Sequence, residues 1–179
     1  LGVDPPDGPI APGAEADVLG AGFLPGMTVR FGGVTAQVLL EGSRDRVRVV
    51  VPAAAPPVMP VPQDGERVVA VAVENPLPDG RMDALEDAYT YLWPPEPQLC
   101  LPDRGPTSGG TRVSVRGRFF RSIRGEPITV TFNQSPATDV TVVDAQEILV
   151  TTPMGMPGFA DVAVQNHPLS SGVGNDIYL

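Results

Sequence analysis

Pro106-Thr107-Ser108-Gly109-Gly110-Thr111-Arg112-Val113-Ser114-Val115-Arg116-Gly117-Arg118-Phe119-Phe120 runs from a turn, through alternation, to a glycine ahead of paired aromatics. Successive side chains of a strand point to opposite faces, so Val113 and Val115 turn into a core while Arg112, Ser114 and Arg116 face water. The stretch has an earlier copy. Gly20-Ala21-Gly22-Phe23 matches Gly117-Arg118-Phe119-Phe120, Val29-Arg30-Phe31 matches Val130-Thr131-Phe132, and Val51-Pro52 matches Thr152-Pro153. Val71-Ala72-Val73-Glu74-Asn75 returns as Val162-Ala163-Val164-Gln165-Asn166, and Tyr91-Leu92 as Tyr178-Leu179. Phe31 precedes Pro52 by 21 residues and Phe132 precedes Pro153 by the same 21. Two copies of about ninety residues each are long enough to be two complete domains rather than units of a solenoid.

Period-two alternation continues outward through Val47/Val49/Val51, Val69/Val71/Val73, Val130/Phe132, Val140/Val142, Ile148/Val150 and Val162/Val164. Helical spacing occurs only in Met82-Asp83-Ala84-Leu85-Glu86-Asp87, read as a single turn. Short strands punctuated by Gly and Pro predict an all-β chain of two antiparallel sandwiches, over residues 1–94 and 95–179. The break between them falls at Trp93-Pro94-Pro95-Glu96-Pro97. Its prolines favour a short, semi-rigid polyproline linker, an elongated pair of domains, and a first strand of domain two at Leu99-Cys100-Leu101-Pro102. Glycines 20 and 117 fit a place where the backbone bends, Phe23 and Phe120 plug the end of a core, and Asn75 and Asn166 close a strand before a turn.

The 179 residues hold 22 Pro and 20 Gly but only ten aromatic side chains, so Val, Leu, Ile and Ala must fill two modest cores. Formal charge is −9, and all 12 basic residues are Arg. Binding to a phosphate backbone relies on neutralising it with Lys and Arg, so a nucleic-acid partner is disfavoured. The lone Cys100, in Leu99-Cys100-Leu101, cannot form an intrachain disulfide and reads as a small hydrophobe. No apolar run reaches the ~18 residues that span a bilayer, and no signal peptide opens the chain, which begins at Leu1 and reads as a piece of something longer.

The Pro106–Phe120 stretch resembles the opening of the IPT/TIG family, immunoglobulin-like modules found in plexins, Rel-type transcription factors and bacterial surface proteins. The Val162–Asn166 strand and the aromatic Tyr178 continue the likeness in domain two. Domain one shares Gly20-Ala21-Gly22-Phe23, Phe31-Gly32-Gly33, Val51-Pro52, Val73-Glu74-Asn75-Pro76 and Tyr89-Thr90-Tyr91, with the Gly-Gly-Thr turn altered to Pro12-Gly13-Ala14-Glu15. The resemblance implies the same all-β sandwich and a non-enzymatic role.

Candidates for chemistry are few. His167, the only histidine, stands in Asn166-His167-Pro168 without the partners of a triad or a histidine metal site, and Cys100 has no base beside it in sequence. No catalytic residue and no cofactor is expected. Asp79, Asp83, Glu86 and Asp87 gather enough carboxylates to make a weak calcium candidate, but EF-hand spacing is absent and a solvated acidic loop is the favoured reading. Asn133-Gln134-Ser135 is a formal glycosylation acceptor followed directly by Pro136.

The copies differ in their loops. Pro52 to Asn75 spans 23 residues and Pro153 to Asn166 spans 13, so domain one carries an insertion within residues 53–66. Within it Val58, Met59 and Val61 alternate with prolines, which favours an extended, pre-ordered segment that either docks a protein partner or folds back over its own sandwich. The function expected is a non-catalytic extracellular or cell-surface binding and spacer module. Its partner would be a protein or neighbouring repeats of the same polypeptide. The alternatives are an accessory domain pair of a secreted carbohydrate-active enzyme or hydrolase, with carbohydrate as partner, and a Rel-like DNA-binding role that the charge opposes.

Overall fold

Alternating valines build strands in both halves of the chain, and the described residues contain no helix. The computed structural model describes residues 1–54 and 61–179, the side chains of residues 40–43 excepted. The chain divides into two compact units, Leu1–Leu92 and Trp93–Leu179. Domain one contains β1 (Gly2–Asp4), β2 (Asp7–Pro9), β3 (Glu15–Leu19), β4 (Thr28–Phe31), β5 (Val34–Thr35), β6 (Gln37–Ser43), β7 (Arg46–Val50), β8 (Glu66–Glu74) and β9 (Met82–Leu92). One sheet has the order β1-β3-β7-β6 and the other β2-β9-β8-β4-β5. Domain two contains β10 (Glu96–Leu101), β11 (Arg112–Arg118), β12 (Thr129–Phe132), β13 (Ser135–Pro136), β14 (Thr138–Asp144), β15 (Glu147–Thr151), β16 (Ala160–His167) and β17 (Ser170–Tyr178). Its sheets are β10-β11-β15-β14 and β13-β12-β16-β17.

In each domain the inward faces of the two sheets meet in one apolar cluster. Val18, Val47 and Val49 come from one sheet of domain one, and Val29, Phe31, Val71 and Tyr89 from the other. Val113, Val115, Ile148 and Val150 face Val130, Phe132, Val162 and Val164 in domain two. Each of these side chains is buried, and a fully buried Val or Phe contributes about 1.5–3 kcal/mol. The predicted all-β sandwiches are the observed fold.

The repeat extends to the hydrogen bonds. Gly20 and Phe23 donate their N–H groups to the carbonyls of Asp45 and Arg44, and Gly117 and Phe120 donate theirs to Gln146 and Ala145. The β4–β5 and β12–β13 hairpins both turn on two residues of positive φ, Gly32 (55°) with Gly33 (85°) and Asn133 (45°) with Gln134 (71°). Paired positive φ values match the right-handed twist of the flanking strands.

Several local expectations change. Residues Met82–Asp87 are the start of β9, paired with β8 through Glu74↔Met82, Val73↔Asp83 and Val71↔Leu85. The ladder overrides the weak helical spacing. The proline-rich break is shorter than expected, because Glu96 and Pro97 already pair with Arg118 and Gly117 in β10. Pro97 offers no N–H, and the register shifts between it and Leu99. Gly20 and Gly117 have no positive φ; each lies under the ring three residues on. A Cβ at Gly20 would fall 2.6 Å from Phe23 Cζ, and one at Gly117 2.7 Å from Phe120 Cζ. The positive φ of each loop belongs to Gly22 (78°) and Phe119 (63°).

The match of Tyr91-Leu92 to Tyr178-Leu179 also shifts. Phe31 pairs with Val71 and Phe132 with Val162, which makes those valines equivalent. Two residues earlier on the same strands, Val69 faces Tyr89 and Ala160 faces Tyr178. Tyr178 is therefore the counterpart of Tyr89. Three further features agree. Phe31–Tyr89 and Phe132–Tyr178 are edge-to-face pairs with centroids 5.1 Å apart. Thr90 N–H donates to the Pro6 carbonyl, and Leu179 N–H to that of Asp103. Asp87 and Asp176, two residues ahead of the tyrosines, share φ values of 51° and 54°.

Candidate functional site

The thiol of Cys100 is buried in the core of domain two, and burial alone pushes its pKa up to about 12. A thiol so held is a packing group, because the reactive species is the thiolate. His167 ends β16, half-buried, and its Nδ1 accepts the Leu169 N–H at 3.1 Å across the turn. Among the described residues no hydrogen bond joins the Cys100 thiol to His167.

The carboxylates of domain one are laid out along a strand. Asp83, Glu86 and Asp87 lie on extended β9, which separates Asp83 from Asp87 by about 13 Å of chain. Asp79 accepts the Asn75 amide at 3.1 Å and faces Arg81 at 3.5 Å. Asp87 is the positive-φ residue of a bulge that Asp176 repeats, a backbone position that Asp tolerates. Among the described residues no three His, Cys, Asp or Glu side chains gather to hold a metal. Asn133 is engaged in its hairpin: its Oδ1 accepts the Asp161 N–H at 2.9 Å and its Nδ2 donates to the Phe159 carbonyl at 3.3 Å.

Of the docking candidates in the insertion, Val58 and Met59 lie outside the described residues, and Val61 is half-buried. The asparagines behave differently in the two copies. Asn75 ties down the neighbouring loop, accepting the Leu24 N–H at 3.1 Å and donating to the Gly22 carbonyl at 3.0 Å. Asn166 is fully buried, and its amide finds no hydrogen-bond partner among the described residues.

An open groove of about 850 Å3 lies in domain two between Thr152–Gly158, Gly105–Thr107 and the end of β17. Phe132 and Tyr178 line it from the core side. The Tyr178 hydroxyl is buried without a hydrogen-bond partner among the described residues. It lies so close over Gly105 that a Cβ there would fall 2.1 Å from it. Met154 and Met156 stand at the groove 75% and 86% exposed, and Phe159 just beyond them is 63% exposed. A closely apposed turn shapes this wall: Gly155 N–H donates to the Thr107 carbonyl at 2.9 Å, and a Cβ on Gly109 would fall 2.5 Å from the Pro153 carbonyl oxygen. Flexible, polarisable methionines suit an adaptable binding surface. The sequence did carry a signal for it. Met154-Gly155-Met156-Pro157-Gly158-Phe159 follows Pro153 as the insertion follows Pro52, a loop position marked by its Gly and Pro residues.

Residues 95–177 match the IPT/TIG domain family. Domain two is an IPT/TIG domain. Over its full length the chain is also similar to the extracellular region of plexin A4, domains 1 to 8. The identity is 19% and the TM-score 0.51, with 100% of this chain and 18% of that one covered. A plexin A4 structure of domains 1 to 10 aligns at 16% identity and TM-score 0.47, over 88% of this chain and 13% of that one. A surface glycan-binding protein from Prevotella bryantii aligns at 15% identity and TM-score 0.38, over 90% of this chain and 35% of that one. At these identities the likeness is one of fold, and the chain spans 18% of the plexin A4 region it matches. No curated protein matches the chain. The IPT/TIG domain carries the groove, and domain one repeats its strand order with β2 added beside β9.

Proposed function

We propose that this chain is a non-catalytic binding and spacer module of a larger extracellular or cell-surface protein, with its binding face on the IPT/TIG domain. The observation that carries this reading is the groove lined by exposed Met154 and Met156, with exposed Phe159 next in sequence to its Gly158 wall. Contiguous exposed apolar surface on a folded domain marks interaction sites more often than it marks chance. The acidic charge of −9 favours partners other than nucleic acid. Protein is the better-supported partner class. Carbohydrate recognition relies on flat aromatic faces, and Phe159 is the one exposed aromatic among the described residues.

The test displays the parent protein on cells and compares it with a Met154→Ser, Met156→Ser, Phe159→Ser variant in adhesion to partner cells. Loss of adhesion with unchanged thermal unfolding is the expected result. Adhesion equal to the unmodified protein refutes the reading.

A further inference from the structure

We infer that Met154 and Met156 are a site of oxidation by peroxide, and that their conversion to sulfoxides switches off binding at the groove of domain two. The inference rests on the binding role proposed above and adds its regulation. A thioether needs no base to activate it, so access to the oxidant sets which methionines react. The described methionines divide on that measure. Met27 lies in the core of domain one at 7% exposure, whereas Met154 and Met156 stand 75% and 86% exposed. Met82 is also exposed, but it belongs to β9 of domain one, and of these four only Met154 and Met156 line the groove. Backbone bonds build their exposure. Gly110 N–H donates to the Thr152 carbonyl and Thr152 N–H to that of Thr111, both at 2.9 Å, which fixes the chain just before the turn. Gly155, between the two methionines, is tied to the Thr107 carbonyl, and a Cβ added there would meet nothing within 4 Å. The turn is thus held at its centre with its outer side open, and both thioethers project into solvent from it.

The step is a two-electron oxygen transfer from hydrogen peroxide. A sulfur lone pair attacks one peroxide oxygen, an S–O bond forms and the O–O bond breaks. The second oxygen takes the proton of the first and leaves as water, so sulfur is oxidised and the peroxide reduced by the same two electrons. The product replaces a flexible apolar side chain with a polar one that carries a strong hydrogen-bond acceptor. In the free chain that oxygen stays hydrated, and the fold is unaffected. Pressed against an apolar partner surface it loses its water without gaining a donor, which weakens binding roughly tenfold for each sulfoxide.

The experiment treats the purified 179-residue chain and its Met154→Leu, Met156→Leu variant with hydrogen peroxide, quenches with free methionine, and adds each as a soluble competitor to the adhesion assay above. Leucine keeps the apolar volume and cannot take up oxygen, while the variant retains Met27, Met59 and Met82. Peptide mass spectrometry is expected to find one oxygen on each of Met154 and Met156 at least about tenfold sooner than on Met27. The oxidised chain is expected to need at least about tenfold more protein to inhibit adhesion by half, with unchanged thermal unfolding. The leucine variant should compete like the untreated chain both before and after peroxide. An oxidised chain that competes like the untreated one overturns the inference, and so does a variant that peroxide disables or a loss that comes only with unfolding. Normal adhesion by the Met154, Met156 and Phe159 serine variant removes the binding role itself. Loss of adhesion by that variant beside unimpaired competition by the oxidised chain removes only the control by oxidation.

Discussion

Alanine at Gly117 and at Gly20 is the same substitution at equivalent positions, and the two domains should not tolerate it equally. At Gly117 the added Cβ would fall 2.0 Å from the Glu96 carbonyl oxygen and 2.7 Å from Phe120 Cζ. The first of these is backbone, held by the β10–β11 ladder through Glu96↔Arg118 and Pro97↔Gly117. Relief requires β10 to move by about an ångström against its partner strand, which places the cost at the upper end of the overpacking range, ~3 kcal/mol. At Gly20 the Cβ would meet Phe23 Cζ at 2.6 Å and Leu1 Cδ2 at 2.9 Å, both ends of side chains. Small rotations of Phe23 and displacement of the terminal Leu1 relieve most of that, leaving ~1 kcal/mol. For a domain of this size 1 kcal/mol moves the melting temperature by about 4–8 °C. Differential scanning calorimetry of the 179-residue chain should therefore show Gly117→Ala lowering the transition of domain two by more than ~10 °C. Gly20→Ala should lower that of domain one by less than ~8 °C. A Gly20→Ala loss equal to or larger than that of Gly117→Ala would show that ring packing, not the strand carbonyl, sets the requirement for glycine.

Asp17 accepts hydrogen bonds from Arg48 and Arg46, which lower its pKa to about 2 against the burial that opposes them. The stabilisation is present above the ordinary value of 3.8 and is lost as pH falls toward 2. Asp17→Asn should accordingly cost up to about 2 kcal/mol at neutral pH and flatten the acid limb of domain-one stability between those values; an unchanged acid limb refutes the assignment. Tyr91→Phe removes the hydrogen bond to the Pro52 carbonyl and should destabilise domain one by about 1 kcal/mol in urea unfolding, and no loss would mean that the bond is replaced by solvent. Cys100, buried and with its pKa pushed up to about 12, should resist thiol reagents at pH 8 until denaturant is added. Rapid labelling of the folded chain would contradict its place in the core.

The fold was legible because strand alternation and turn chemistry are local. Val113, Val115, Val162 and Val164 announce their faces at period two, and Gly32-Gly33 announces a tight hairpin from residue type alone. The repeat of Gly20–Phe23 in Gly117–Phe120 likewise survives as an identical set of hydrogen bonds. What the residues alone left open depends on partners distant in sequence. Met82–Asp87 carries a faint helical spacing, and only the ladder to β8 makes it a strand. The glycine at 117 is demanded by a carbonyl 21 residues away, which no local pattern contains. Tyr178 looks like Tyr91 when sequence is read along the chain, because both precede leucine. Cross-strand register assigns it to Tyr89 instead, since a strand's neighbours, not its next residue, fix which space a side chain fills. That reassignment exists only between strands that the fold has brought side by side.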